Sequence, residues 1–137
     1  SYLVENDFIE LSKKIQKKAE SKNCKILLPI DAVCSKTIED RVNVKTCSIN
    51  NIPIDQMIFD VGEQTTKLIS DEILKSKSIL WNGPLGAFEY SPFDKSTISV
   101  ANIIQNYSSK FQLDALAGGG DTLAAIKKAK ANDAFKY

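Results

Sequence analysis

The 137-residue sequence predicts an α/β fold: an open parallel sheet with helices on both faces, three α/β/α layers in all. Three observations predict it. Short apolar, β-rich runs alternate with stretches of helical period. Glycine or proline closes most of the apolar runs. Three of the turns that follow carry unusual chemistry, and in such sheets ligands bind beyond the carboxyl ends of the strands.

Each element follows from its own pattern. Phe8, Leu11, Ile15 and Ala19 recur at helical spacing and predict an amphipathic helix from about Asp7 to Ser21. "KILLPI", Lys25 to Ile30, predicts a buried strand ended by Pro29. Val42 to Ile49 alternates, which predicts a more exposed strand, and "NNIPID" a loop. Met57 to Val61 is a third strand, closed by Gly62. Thr65 or Thr66 then caps a helix to about Lys75, with Leu68, Ile69 and Ile73 on its inner face. Ser78 to Asn82 is a fourth strand, broken by "GPLG". Ile98, Ala101 and Ile104 predict a helix from Phe93 to Tyr107, and "LDALA" a fifth strand. After three glycines, Leu123, Ala124, Ile126 and Ala129 predict a last helix. "AFKY" reads as the start of a strand that is cut off, and the chain lacks an initiator methionine. An incomplete domain, a piece of something longer, is therefore expected.

Composition narrows the function classes. The chain is 43% hydrophobic and 26% charged, as a soluble globular protein is. Eighteen basic against seventeen acidic residues give no electrostatic case for a nucleic acid or membrane partner. No apolar run is long enough for a membrane span, and "SYLVENDFIE" is not a signal peptide. Cys24, Cys34 and Cys47 are widely spaced, which suits inert thiols in a reduced, cytoplasmic setting. There is no histidine, so Ser-His and Cys-His nucleophiles and histidine metal sites are excluded.

Three stretches carry the candidate chemistry. In "GGGDT", Gly118 to Thr122, the glycines let a ligand approach the backbone at a helix N-terminus, a place that suits phosphate. The pattern is neither G-x-G-x-x-G nor a Walker A loop. Asp121 puts a negative charge where the anion would sit, a conflict that a nucleotide's magnesium ion resolves. The alternative is that Asp121 or Thr122 merely caps the helix. In "WNGPLGAFE", Trp81 to Glu89, Asn82 can donate hydrogen bonds to developing negative charge, and Glu89 can accept from sugar hydroxyls. The alternative is a tight strand-to-helix turn with a structural tryptophan. Around "QMIFDVGE", Ile38, Ile58 and Phe59 either wall a flat base or belong to the core. Lys127, Lys128 and Lys130 read as a solvated face that also suits the helix dipole.

"WNGPLGAFE" followed by "GGGDT" resembles phosphoglycerate kinase. The family's W-N-G-P-x-G-x-F-E stretch is complete, and "LLPID" and "DVG" stand in the family's order and spacing. The resemblance covers essentially the whole chain. It implies a Rossmann-like three-layer domain, with residues 1–137 one partial domain: the latter part of the family's nucleotide-binding, C-terminal domain. It implies that Gly118, Gly119, Gly120 and Thr122 lie at the phosphates of ADP or ATP, and that Asp121 holds the nucleotide's Mg2+. Asn82 would sit near the phosphoryl group in flight, as a transition-state contact. Pro84, Ile38, Ile58 and Phe59 would line the base pocket, and Glu89 would bond the ribose. The implied reaction is phosphoryl transfer between 1,3-bisphosphoglycerate and ADP in glycolysis.

The departures from the family matter as well. Ile58 stands where many relatives have glycine, Glu63 replaces a proline, and Ile38 replaces a phenylalanine. The family's N-terminal domain, which binds 3-phosphoglycerate or 1,3-bisphosphoglycerate, has no counterpart. Neither do its phosphate-contacting lysines or its S-T-G-G-G loop, and the only arginine is Arg41. No kinase turnover by this chain alone is expected. Two other readings stand beside this one. The chain is a relict or structural α/β module with open sheet edges, completed by a separate chain. Or it belongs to a nucleotide-sugar or cofactor enzyme on a similar sheet, which fold-level analogy alone supports.

Overall fold

A computed structural model describes residues 5–111 and 113–136. After a short 3-10 turn, helix α1 spans Ile9–Ser21. Strands β1 (Asp31–Ser35), β2 (Lys45–Ser48) and β3 (Met57–Val61) follow. Then come α2 (Glu63–Ile73), β4 (Ser78–Asn82), α3 (Lys95–Phe111), β5 (Asp114–Gly118) and α4 (Gly120–Lys128). The α/β class is as expected, and the expected elements recur in order with one displacement.

The strands form two sheets. β4 and β5 pair in parallel, with Asn82 opposite Gly118. Lys136 adds a parallel bridge to Leu116, so "AFKY" does begin an extended segment beside β5, although Tyr137 lies outside the described residues. The other three strands pair antiparallel in the order β2-β1-β3. Alternation of strand and helix could not predict this. The connection from β1 to β2 contains no helix that would carry the chain back to the same end, so β2 reverses on β1; β3 returns on the other side of β1 and runs in the same direction as β2.

The main core lies on one face of β4–β5. Trp81, Ala115 and Ala117 meet Val100, Ala101 and Ile104 of α3 and Ile126 of α4 there. Alternation along the strands turns Leu80 and Leu116 to the opposite face, where Leu80 is 75% exposed. Of the two helical layers expected on this sheet, one is present among the described residues.

The displaced element is "KILLPI". No strand forms over Lys25–Ile30, and Leu28 is 57% exposed. A strand needs a neighbour for its amides and carbonyls, and among the described residues only Ile30, at the end of the run, has them: its carbonyl accepts from the Ile49 amide and its amide donates to Thr65 Oγ1, each at 3.0 Å. Pairing starts after Pro29, at Asp31, where β2 and β3 flank β1. Helix α1 does form, but with no buried residue; its apolar Leu11 and Ile15, and Phe8 just before it, are open to solvent.

The start of α2 corrects another expectation. Neither Thr65 nor Thr66 caps the helix; it starts at Glu63, and Gly62 is its N-cap. The cap comes from the remote Asp31, whose carboxylate accepts from the Gln64 amide at 3.0 Å and the Thr65 amide at 2.8 Å. The Thr65 hydroxyl, itself buried, donates to the same carboxylate. Gly62 permits this approach, since a Cβ there would collide with the Asp31 carboxyl group. Burial pushes the Asp31 pKa up, but the bonds from Thr65 and Gln64 outweigh it, and the net direction is down.

Asp31→Ala strands these donors and is expected to cost about 2–4 kcal/mol, read from urea unfolding. A lowered folded pKa gives stability that is present above the ordinary carboxyl value of 3.8 and lost as pH falls through the folded value. Acid unfolding followed by circular dichroism should therefore lose part of its steepness in this variant.

Candidate functional site

The predicted glycine loop and the predicted W-N-G-P loop leave the same edge of the parallel pair. Parallel strands with Asn82 opposite Gly118 deliver their next residues side by side. The Asn82 side-chain oxygen lies against Gly119, 3.1 Å from where a Cβ would be. The Gly83 amide donates to the Thr122 hydroxyl at 2.7 Å. Thr122 is buried, so its side chain ties the loops together while its amide remains in the first turn of α4.

Neither Asp121 nor Thr122 caps α4, which removes the capping alternative. The N-cap is Gly119, at φ +92°, and no side chain bonds there. The first amides of α4 thus keep their capacity to bind an anion. The backbone is open as well: a Cβ at Gly118 or Gly120 would meet nothing within 4 Å. Asp121 is exposed in that first turn, and among the described residues nothing bonds its carboxylate.

A second knot holds the W-N-G-P loop against β3. The Ala87 amide donates to the Phe59 carbonyl at 2.7 Å. The Leu85 amide donates to Thr97 Oγ1 at 2.9 Å. The buried Asp60 carboxylate accepts from the Ser96 hydroxyl and amide and from the Val61 amide. Gly86, at φ +60°, passes so close that a Cβ would strike both Asp60 and the Phe93 carbonyl. Burial raises the Asp60 pKa despite those bonds, and the nearby Asp94 adds to the rise. The tryptophan proves structural: Trp81 is buried beside Phe135, and its Nε1 donates to the Gly83 carbonyl at 2.7 Å.

The remaining predicted residues are less gathered. Pro84 is half-buried within the loop, and Glu89 is exposed on its far side. Ile58 and Phe59 are successive on β3, where the register with β1 skips Phe59. Ile58 is open to solvent, whereas the Phe59 ring packs 4.9 Å from the Phe93 ring. Ile38 sits half-buried in the loop after β1, next to the start of β3, because Ser35 pairs with Met57. A cleft of about 630 Å3 between β3, α2 and α3 is lined by none of the predicted site residues.

Several residues that build this edge were missed in the sequence. Ser96 and Thr97 gave no signal, being ordinary helix-start residues. Asp60 did give one: it is a lone carboxylate within the β-rich run "MIFDV". Lys128 is not simply part of a solvated face, because it forms an ion pair with Asp94 at 2.9 Å.

A family model for phosphoglycerate kinase matches residues 1–137. The chain belongs to the phosphoglycerate kinase family. The phosphoglycerate kinases of Chelativorans sp. (strain BNC1) and Granulibacter bethesdensis are each 40% identical to it over 135 residues, 98% of this chain and 34% of theirs. The chain thus spans about a third of the length of the curated relatives it matches. The phosphoglycerate kinase structure from Coxiella burnetii superposes on all of the chain, and on 34% of its own, with a TM-score of 0.89 at 29% identity. The Pyrococcus horikoshii kinase shares the fold, with a TM-score of 0.69 at 21% identity over 89% of this chain and 28% of its own. Among the described residues, no helix is long and apolar enough to cross a membrane.

Thr122→Val removes the hydroxyl that receives the Gly83 amide and keeps the shape. It is expected to destabilise the fold by about 1–3 kcal/mol in urea unfolding, with Thr122→Ser close to wild type.

Proposed function

We propose that this chain forms the nucleotide-binding part of a phosphoglycerate kinase, holding ADP or ATP together with Mg2+ at the edge where β4 and β5 end. One observation carries the reading: an uncapped helix N-terminus, open glycine backbone and an unengaged carboxylate meet in one first turn, that of α4. The helix N-terminus suits phosphates, and the carboxylate suits the cation that phosphates bring. Gly118, Gly119, Gly120 and the Thr122 amide hold the phosphates. Asp121 supplies one oxygen ligand to the magnesium ion. Among the described residues no group of three acidic, histidine or cysteine side chains could hold a metal alone. The ion therefore enters with the nucleotide, whose phosphates supply further oxygens.

The other roles follow the same axis. Asn82, whose side-chain oxygen lies beside Gly119, donates from its amide nitrogen to the transferring phosphoryl group in this reading. Glu89 bonds the ribose, while Pro84, Phe59, Ile58 and Ile38 surround the base. In the whole enzyme the phosphoryl group passes between the acyl phosphate of 1,3-bisphosphoglycerate and ADP, a step of glycolysis in the cytoplasm. Phosphoryl transfer needs cationic groups around the group in flight. The one arginine here, Arg41, is engaged over the Tyr90 ring, 5.4 Å from its centroid. This chain by itself therefore binds nucleotide without turning over. The open Leu80–Leu116 face and the Lys25–Pro29 run, which joins no strand, favour a second reading, a structural module completed by further polypeptide.

Calorimetric titration with magnesium-ADP tests the first reading. Asp121→Ala is expected to weaken binding by about tenfold or more. With EDTA present, wild type and variant should bind ADP alike. A flat wild-type titration at millimolar nucleotide would leave only the second reading. A coupled assay with 1,3-bisphosphoglycerate and ADP should show no ATP formation by the chain alone, and measurable turnover would overturn that part.

A further inference from the structure

Helix α4 touches the W-N-G-P loop at both of its ends. At the start, Thr122 receives the Gly83 amide. In the last turn, Lys128 Nζ donates to the Phe88 carbonyl at 2.6 Å and pairs with Asp94 Oδ2 at 2.9 Å. Asp94 is buried at the head of α3, where its carbonyl accepts from the Ile98 amide. Lys128 itself is 37% exposed, so its stem lies along the protein while its head reaches the loop. An ammonium with a buried carboxylate and a carbonyl as acceptors makes charge-assisted bonds, stronger than neutral ones.

The carbonyl it holds belongs to the residue just before Glu89. The residue just after Glu89 is held too. Tyr90 donates its amide to the Ala87 carbonyl at 2.9 Å, and its ring lies under Arg41. Among the described residues nothing bonds the Glu89 carboxylate itself, so the backbone on either side sets where it points.

The geometry points to Lys128 as a positioning residue for the sugar end of the nucleotide. It fixes the Phe88–Glu89 turn to the helix whose other end faces the phosphates. One rigid element thereby sets the spacing between the phosphate-binding backbone and the ribose-binding carboxylate. The inference rests on the nucleotide reading given above, and it adds a residue that never touches the ligand.

The test compares two probes on the whole chain, magnesium-ADP and magnesium-pyrophosphate, the second of which has no sugar. Wild type should bind both. Lys128→Met keeps the stem and loses the charge; it should weaken ADP by about five- to tenfold and leave pyrophosphate unchanged. Lys128→Arg should restore ADP binding. In a Glu89→Ala background, Lys128→Met should have no further effect on ADP. Unchanged ADP binding in Lys128→Met overturns the assignment, as does an equal loss for both probes, which marks a general structural role. If wild type binds pyrophosphate and not ADP, the positioning role falls while the phosphate site stands. If it binds neither, the nucleotide reading falls and this inference with it.

Discussion

Everything at the candidate site depends on the parallel pairing of β4 with β5. Antiparallel strands would send the W-N-G-P loop and the glycine loop to opposite ends of the sheet. Parallel pairing in this register sets Asn82 against Gly118 and leaves the next residues of both strands to meet. The loops then need only short links, and the structure supplies them through Thr122 at one end of α4 and Lys128 at the other. The pairing is held by the core packed against one face, where alternate residues of both strands meet α3 and α4.

Two buried carboxylates hold the rest of the frame, with opposite electrostatic outcomes. Asp31 and Asp60 lie near the ends of adjacent strands, and each accepts hydrogen bonds at the start of a helix, α2 and α3 respectively. Burial is the largest influence on both. At Asp31, bonds from two amides and a hydroxyl win, so the charged form is favoured. At Asp60, desolvation wins and the nearby Asp94 reinforces it, so the proton is retained to higher pH. A raised folded pKa gives stability that is full below the ordinary value and lost as pH rises through the folded value. The two groups thus oppose each other in acid.

Most of the fold was legible because its signals are local. Helical period gave α1, α3 and α4, and β-rich runs between breakers gave β3, β4 and β5. What was not legible depended on partners. "KILLPI" has every local mark of a buried strand, yet pairing is a property of two segments, and among the described residues only its last, Ile30, meets a second one. The antiparallel sheet, likewise, is set by which segments pair, with β1 between β2 and β3, rather than by residue type. At the site, "GGGDT" and "WNGPLGAFE" stood out because glycine, proline and a carboxylate at strand ends are chemically unusual. Asp31 as the cap of α2 was hidden, since its helix begins 32 residues later. Lys128 was hidden by resembling every other lysine in a last helical turn.

The run from Lys25 to Pro29, which joins no strand, has a consequence for how this chain behaves in company with itself. An extended apolar segment with free amides is a template on which identical segments stack. This one carries two gatekeepers. Pro29 removes a donor from within the run, and Lys25, paired with Glu72 at 2.6 Å, fixes charge at its entrance. Between them stand only Ile26, Leu27 and Leu28, fewer than the six or so residues a steric zipper takes. The segment that most needs a neighbour is thus short enough, and interrupted enough, to resist fibril growth.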